Sequence, residues 1–149
     1  MKTNDLRPLK VSAIAIINGI AAVLSLLFWY LVQHRLFGVA HLSLSLDPTS
    51  VASTLGFMVA DLIWAIPLLI VSVLGLWRLQ AWGWTTAQMA NLLWLYPLTA
   101  AWTRDLYLGS ISPGNLLFLP FALFAVWTTC YLWQIRHLFW ARTEALSDD

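Results

Sequence analysis

The sequence predicts an all-α integral membrane protein, a four-helix transmembrane bundle with both termini in the cytoplasm. Composition is the first reason: 60% of the 149 residues are apolar and 10% charged, with a mean hydropathy of +0.75, whereas a soluble domain carries about 25% charged residues. The second is length. Four apolar stretches, 11–32, 57–77, 84–103 and 115–135, each reach the roughly 20 residues that a helix needs to cross the hydrocarbon core. The third is charge asymmetry. With those spans, Lys2, Arg7, Lys10, Arg78, Arg136 and Arg142 fall on one side and only Arg35 and Arg104 on the other, so the positive-inside rule puts both termini in the cytoplasm. The expected setting is the lipid bilayer of a bacterial inner (plasma) membrane, with 1–149 forming one domain.

The first stretch follows Lys2, Arg7 and Lys10 as a signal peptide would, but at about 22 residues it exceeds a signal h-region and lacks a small-residue cleavage site. It reads as a retained helix. In the outer segment that follows, His41-Leu42-Ser43-Leu44-Ser45-Leu46 alternates with period two, which suggests a strand-like piece or an interfacial flap rather than a fifth span. Asp47-Pro48 has the form of a helix start, so the second helix is expected to project beyond the membrane surface. The turn Arg78-Leu79-Gln80-Ala81-Trp82-Gly83 is short enough to make the second and third helices antiparallel neighbours. Ser112-Pro113-Gly114 reads as an N-cap with proline at the first helical position, opening the fourth helix. Trp77, Trp82, Trp84, Trp133 and Trp140 gather at the cytoplasmic boundary, where amphipathic rings anchor helices.

Several function classes are excluded or disfavoured. A net charge of +1 without a basic, aromatic-interleaved patch gives nucleic acid nothing to bind. Cys130 is the single cysteine, so no intrachain disulfide chemistry is open to the chain, and the residue reads as a small buried side chain. His34 and His41 belong to the outer side and His137 to the cytoplasmic side, which leaves no compact metal set and no bis-histidine haem site. Nucleophile elbow, glycine-rich phosphate loop and dense carboxylate cluster are all missing. No cofactor is implied.

Polar residues inside the spans carry the remaining signal. Counting about 1.5 Å per residue from the cytoplasmic edge puts Asn18, Asn91 and Thr128 or Thr129 roughly 10 Å deep, with Ser72 slightly shallower. They form an expected interhelical polar layer, in which each hydrogen bond is worth about 0.6 kcal/mol. The outer layer contains charge. Asp61 is the one acidic residue within any span, and a carboxylate in hydrocarbon normally faces the bundle interior with a partner. Arg104 turning inward is one candidate partner; alternatively Arg104 pairs with Asp105 at the surface and Asp61 faces a water-filled cavity.

Helical spacing places Asp61, Trp64, Ala65, Leu68, Ser72 and Gly75 on one stripe of the second helix, and Gln88, Asn91, Leu95, Thr99 and Trp102 on one stripe of the third. Pro67, Pro97 and Pro120 each remove a backbone hydrogen bond, and kinks at those positions would splay the outer half into a cavity. The expected ligand-binding set is therefore Asp61 and Arg104 for polar recognition, with Trp64, Tyr96, Thr99 and Trp102 lining the cleft. This predicts binding or transport of a small apolar or amphipathic ligand. Two alternatives stand beside it: a non-catalytic assembly subunit, packing against itself or a larger membrane complex, and a membrane enzyme using Asp61 as acid or base on a lipid-like substrate.

Overall fold

The computed structural model describes residues 7–37, 48–111 and 113–147, and these are helical almost throughout, with no strand among the described residues. Helix α1 spans Leu9–Phe37. Pro8 precedes it and its carbonyl accepts from the Val11 amide at 2.9 Å, as suits a residue with a preset φ at a helix entrance. Helix α2 spans Pro48–Ala60 and begins at the proline singled out in the sequence. Ser53 and Thr54 hydroxyls turn back onto the Thr49 and Ser50 carbonyls at 2.8 Å, which satisfies short polar side chains inside a helix. The alternating 41–46 run lies outside the described residues.

A π-helical turn, Asp61–Ala65, links α2 to α3, Ile66–Arg78. Pro67 explains its position. A proline ring inside an α-helix collides with the carbonyl four residues back, here that of Ile63. Widening the preceding turn, with the Ile66 amide reaching back to the Asp61 carbonyl, carries the helix through without a break.

Helix α3 closes on Leu79 in the left-handed region, φ 53°, its amide donating to the Gly75 and Leu76 carbonyls. Helix α4, Ala81–Leu108, then turns straight back along α3. The two backbones touch where they cross: a methyl added at either Gly75 or Gly83 would overlap the other glycine's main chain. Helix α4 runs to Leu108, five residues beyond the apolar stretch, and is capped by Gly109, φ 65°. Charge at Arg104 and Asp105 ends a hydrophobic run but not a helix. Helix α5, Pro113–Gln134, starts on the expected proline. A sixth helix, α6 (Arg136–Ser147), follows a one-residue break and was not legible as a separate element.

In space the order is α1, α3, α4, α5, with α6 folded back onto α4. The end that holds the start of α1, the α3–α4 turn and α6, called the near end below, is closed by Val11, Ile14, Ala15, Leu76, Ala87, Leu132 and Phe139. A second layer of mostly small residues, Ala21, Ala22, Leu69 and Ala90, lies above it. The tryptophan cluster sits at this near end. Trp84 packs against Trp133 and Trp140 and donates to the Leu132 carbonyl at 2.9 Å. Arg7 lies over Trp77, Lys10 over Tyr131 and Arg136 over Trp133. Two segments, Leu9–His34 and Pro48–Arg78, are long and apolar enough to cross a membrane.

Candidate functional site

The inner polar residues pair across helices in two separate contacts. Asn18 of α1 donates to the Ser72 hydroxyl at 3.0 Å, and that hydroxyl donates to the Leu69 carbonyl at 2.7 Å. Asn91 of α4 donates to Thr129 of α5 at 3.0 Å, with Gln88 reaching the Thr129 carbonyl at 3.3 Å. Thr129, rather than Thr128, therefore takes the bond. Thr128 is fully buried and its hydroxyl has no partner among the described residues.

Above these pairs the helices diverge around a cavity of about 600 Å³. It starts at the Ala21, Leu69 and Ala90 layer and runs to the level of Thr54, Arg104 and Asn115. The α4 wall is built from Ala90, Trp94, Pro97, Ala101 and Arg104, a four-and-three spacing that keeps one helix face toward the space. Small residues at Ala90 and Ala101 and the proline between them leave room there. Walls of Leu24, Phe28, Phe57, Trp94 and Phe121 make it largely apolar.

Asp61 enters this cavity from the π turn. Its Oδ2 accepts from the indole N–H of Trp29 on α1 at 2.9 Å. Trp29 is buried, so the bond offsets part of the desolvation of both groups. Arg104 does not reach Asp61. Its guanidinium donates to Asp105 Oδ1 at 3.0 and 3.3 Å, while Asn115 of α5 donates to the other oxygen at 2.6 Å. Asp105 is only 3% exposed, against 62% for the Arg104 side chain. Arg104 thus pairs with Asp105, as in the second of the two arrangements open in the sequence, but the Asp105 carboxylate is buried and clamps α4 to α5.

Of the six expected site residues, Asp61 and Arg104 line the cavity; Trp64, Tyr96, Thr99 and Trp102 are not part of its lining. Trp64 is 63% and Tyr96 75% exposed on the outer helix surfaces. The π turn accounts for Trp64. Its bonds span five residues instead of four, so Ala65 stays in line below Asp61 while the residue three after Asp61 rotates off the face. Thr99 returns its hydroxyl to the Leu95 carbonyl at 2.8 Å, and the buried ring N–H of Trp102 has no partner among the described residues.

Trp29 and Asn115 were missed in the sequence, and Asp105 was read only as a surface partner of Arg104. For Trp29 a signal existed: it lies about 27 Å above the start of the first span and Asp61 about 24 Å above the end of the second, by residue count. Cys130 is exposed rather than buried. His34 and His137 lie at opposite ends of the fold, and no group of three or more metal-ligating side chains forms among the described residues. No protein family, curated protein or solved structure matches the chain.

Proposed function

We propose that the chain is a four-span membrane protein, both termini cytoplasmic, that binds or transports a small apolar or amphipathic ligand in the cavity beside Asp61. One observation carries the reading: a cavity of about 600 Å³ whose walls are largely apolar, with few polar groups among them, the usual make-up of a small-molecule site. Helices α4 and α5, with 28 and 22 residues, are long enough to join α1 and the Pro48–Arg78 segment as spans at about 1.5 Å per residue. The near-end girdle of tryptophans with Arg7, Lys10 and Arg136 supports a cytoplasmic interface at that end.

The test is native extraction followed by mass spectrometry of what stays bound, on wild type, Asp61→Asn and Ala101→Trp. A stoichiometric small molecule in the wild type, lost or strongly reduced in both variants, is expected. An empty wild type, or a molecule retained equally in all three, removes the ligand reading.

A second reading, a subunit of a homo-oligomer or membrane complex, is favoured by Tyr96. It sits near the middle of the third span and is 75% exposed, and a phenolic hydroxyl in hydrocarbon has no water to bond. A partner chain covering that face would supply an acceptor. Co-purification of a fixed partner that is lost in Tyr96→Phe would favour this reading.

A further inference from the structure

We propose that the cavity is selective for a lipophilic cation, an organic cation with a bulky apolar body. The inference deepens the ligand-cavity reading and rests on it. It comes from a charge count around the space. Among the described residues, two ionisable side chains line the cavity, Asp61 and Arg104, and a third, Asp105, is bonded to Arg104. Arg104 and Asp105 form an ion pair at 3.0 Å, and Asn115 holds the second Asp105 oxygen. The Arg104 and Asp105 charges offset each other, with two guanidinium N–H groups donated to Asp105 Oδ1.

Asp61 is different. Among the described residues it has no cationic partner, and its side chain is held by the neutral Trp29 indole alone. When ionised, Asp61 is thus, among the described residues, the one charged group lining the space that has no counter-charge, and it is set in apolar walls. In such surroundings a missing counter-charge is a strong recognition element, because the interaction is weakly screened. A cationic centre near Asp61 would supply it, whereas an anion of the same shape would be repelled.

The walls suit the same ligand. Phe28 and Phe57 line the space, and Trp94 and Phe121 line it as a stacked pair with ring centroids 5.5 Å apart. Aromatic faces attract cations and accept apolar groups equally well. The structural layer beneath, Ala21, Leu69 and Ala90, closes the floor without adding a polar group. A soft organic cation fits these terms better than a metal ion, which would need several oxygen ligands, and no group of three or more acidic, histidine or cysteine side chains forms among the described residues.

Two probes of nearly the same size and opposite charge separate the possibilities: tetraphenylphosphonium and tetraphenylborate, titrated against the purified full chain in an uncharged detergent. Wild type should bind the phosphonium at least tenfold more tightly than the borate. Asp61→Asn should bring the two within about twofold, Asp61→Glu should keep the preference, and Ala101→Trp should abolish specific binding of both. The wild-type comparison decides the sign of the charge even if a variant fails to fold. Equal or tighter borate binding that Ala101→Trp still abolishes would overturn the cation inference and leave the ligand cavity standing. Binding of neither probe in a cavity-dependent way would overturn both.

Discussion

Gly75→Val and Gly83→Val should each prevent the bundle from assembling, with the unfolding transition in detergent lowered by more than about 3 kcal/mol or no folded protein recovered. Overpacking a core usually costs about 1–3 kcal/mol because side chains can shift. Here the obstacle is main chain. A Cβ at either glycine overlaps the backbone of the other, so relief requires α3 and α4 to separate. That separation would uncouple Leu76 from Ala87 in the closed near-end layer. Gly56→Ala is the matched control: nothing lies within 4 Å of its added methyl, and replacing glycine inside α2 should stabilise by up to about 1 kcal/mol. If Gly75→Val unfolds at the wild-type denaturant or temperature midpoint, the close crossing is not what holds these helices.

Asp105→Ala should destabilise the far end by about 1–3 kcal/mol, and Arg104→Ala by less than about 1 kcal/mol, measured by unfolding of the two variants side by side. The asymmetry follows from burial. Asp105 and Asn115 are both buried, so deleting the carboxylate strands the Asn115 amide without its 2.6 Å acceptor. The Arg104 side chain is mostly exposed and its loss is softened by solvent. Because Asp105 joins α4 to α5 at the level where the cavity ends, its loss should also loosen the cavity wall. Equal effects of the two variants would mean that the ion pair, rather than the buried amide contact, sets the stability of this corner.

Much of the architecture was legible because it depends on chain-wide terms. Apolar length and the positions of prolines located the helices, and the short 78–83 turn fixed α3 against α4. Depth counting brought Asn18 to Ser72 and Asn91 to the Thr128–Thr129 pair, though it could not choose between two adjacent threonines that differ by one residue of rotation. Asp61 could be placed in a cavity because burying a lone carboxylate is expensive wherever it lies. Its partner was not found because a charged one was sought, while the structure uses the neutral Trp29 indole at matching depth. Trp64 was misplaced for another reason: a uniform 3.6-residue period cannot anticipate a π turn, and the turn itself answers to Pro67 further along. Asp105 lay outside the apolar stretch and so read as a surface residue, whereas α4 continues past that boundary and carries it into the contact with Asn115. Helix α6 was not legible for the same reason, since the helical chain continues past the end of the apolar stretch, although buried Phe139 ties it to the core.

In the proposed function the cavity beside Asp61 belongs to a membrane-embedded bundle and is reached from the side opposite the termini. Single cysteines introduced at Ala101, in the cavity wall, and at Gln80, in the near-end turn, test it directly in a Cys130→Ser background, using a membrane-impermeant maleimide on intact cells. Ala101→Cys should be labelled from outside without permeabilisation, and Gln80→Cys only after the membrane is opened. Labelling of Gln80→Cys from outside, or an Ala101→Cys that reacts only from the cytoplasmic face, would contradict it.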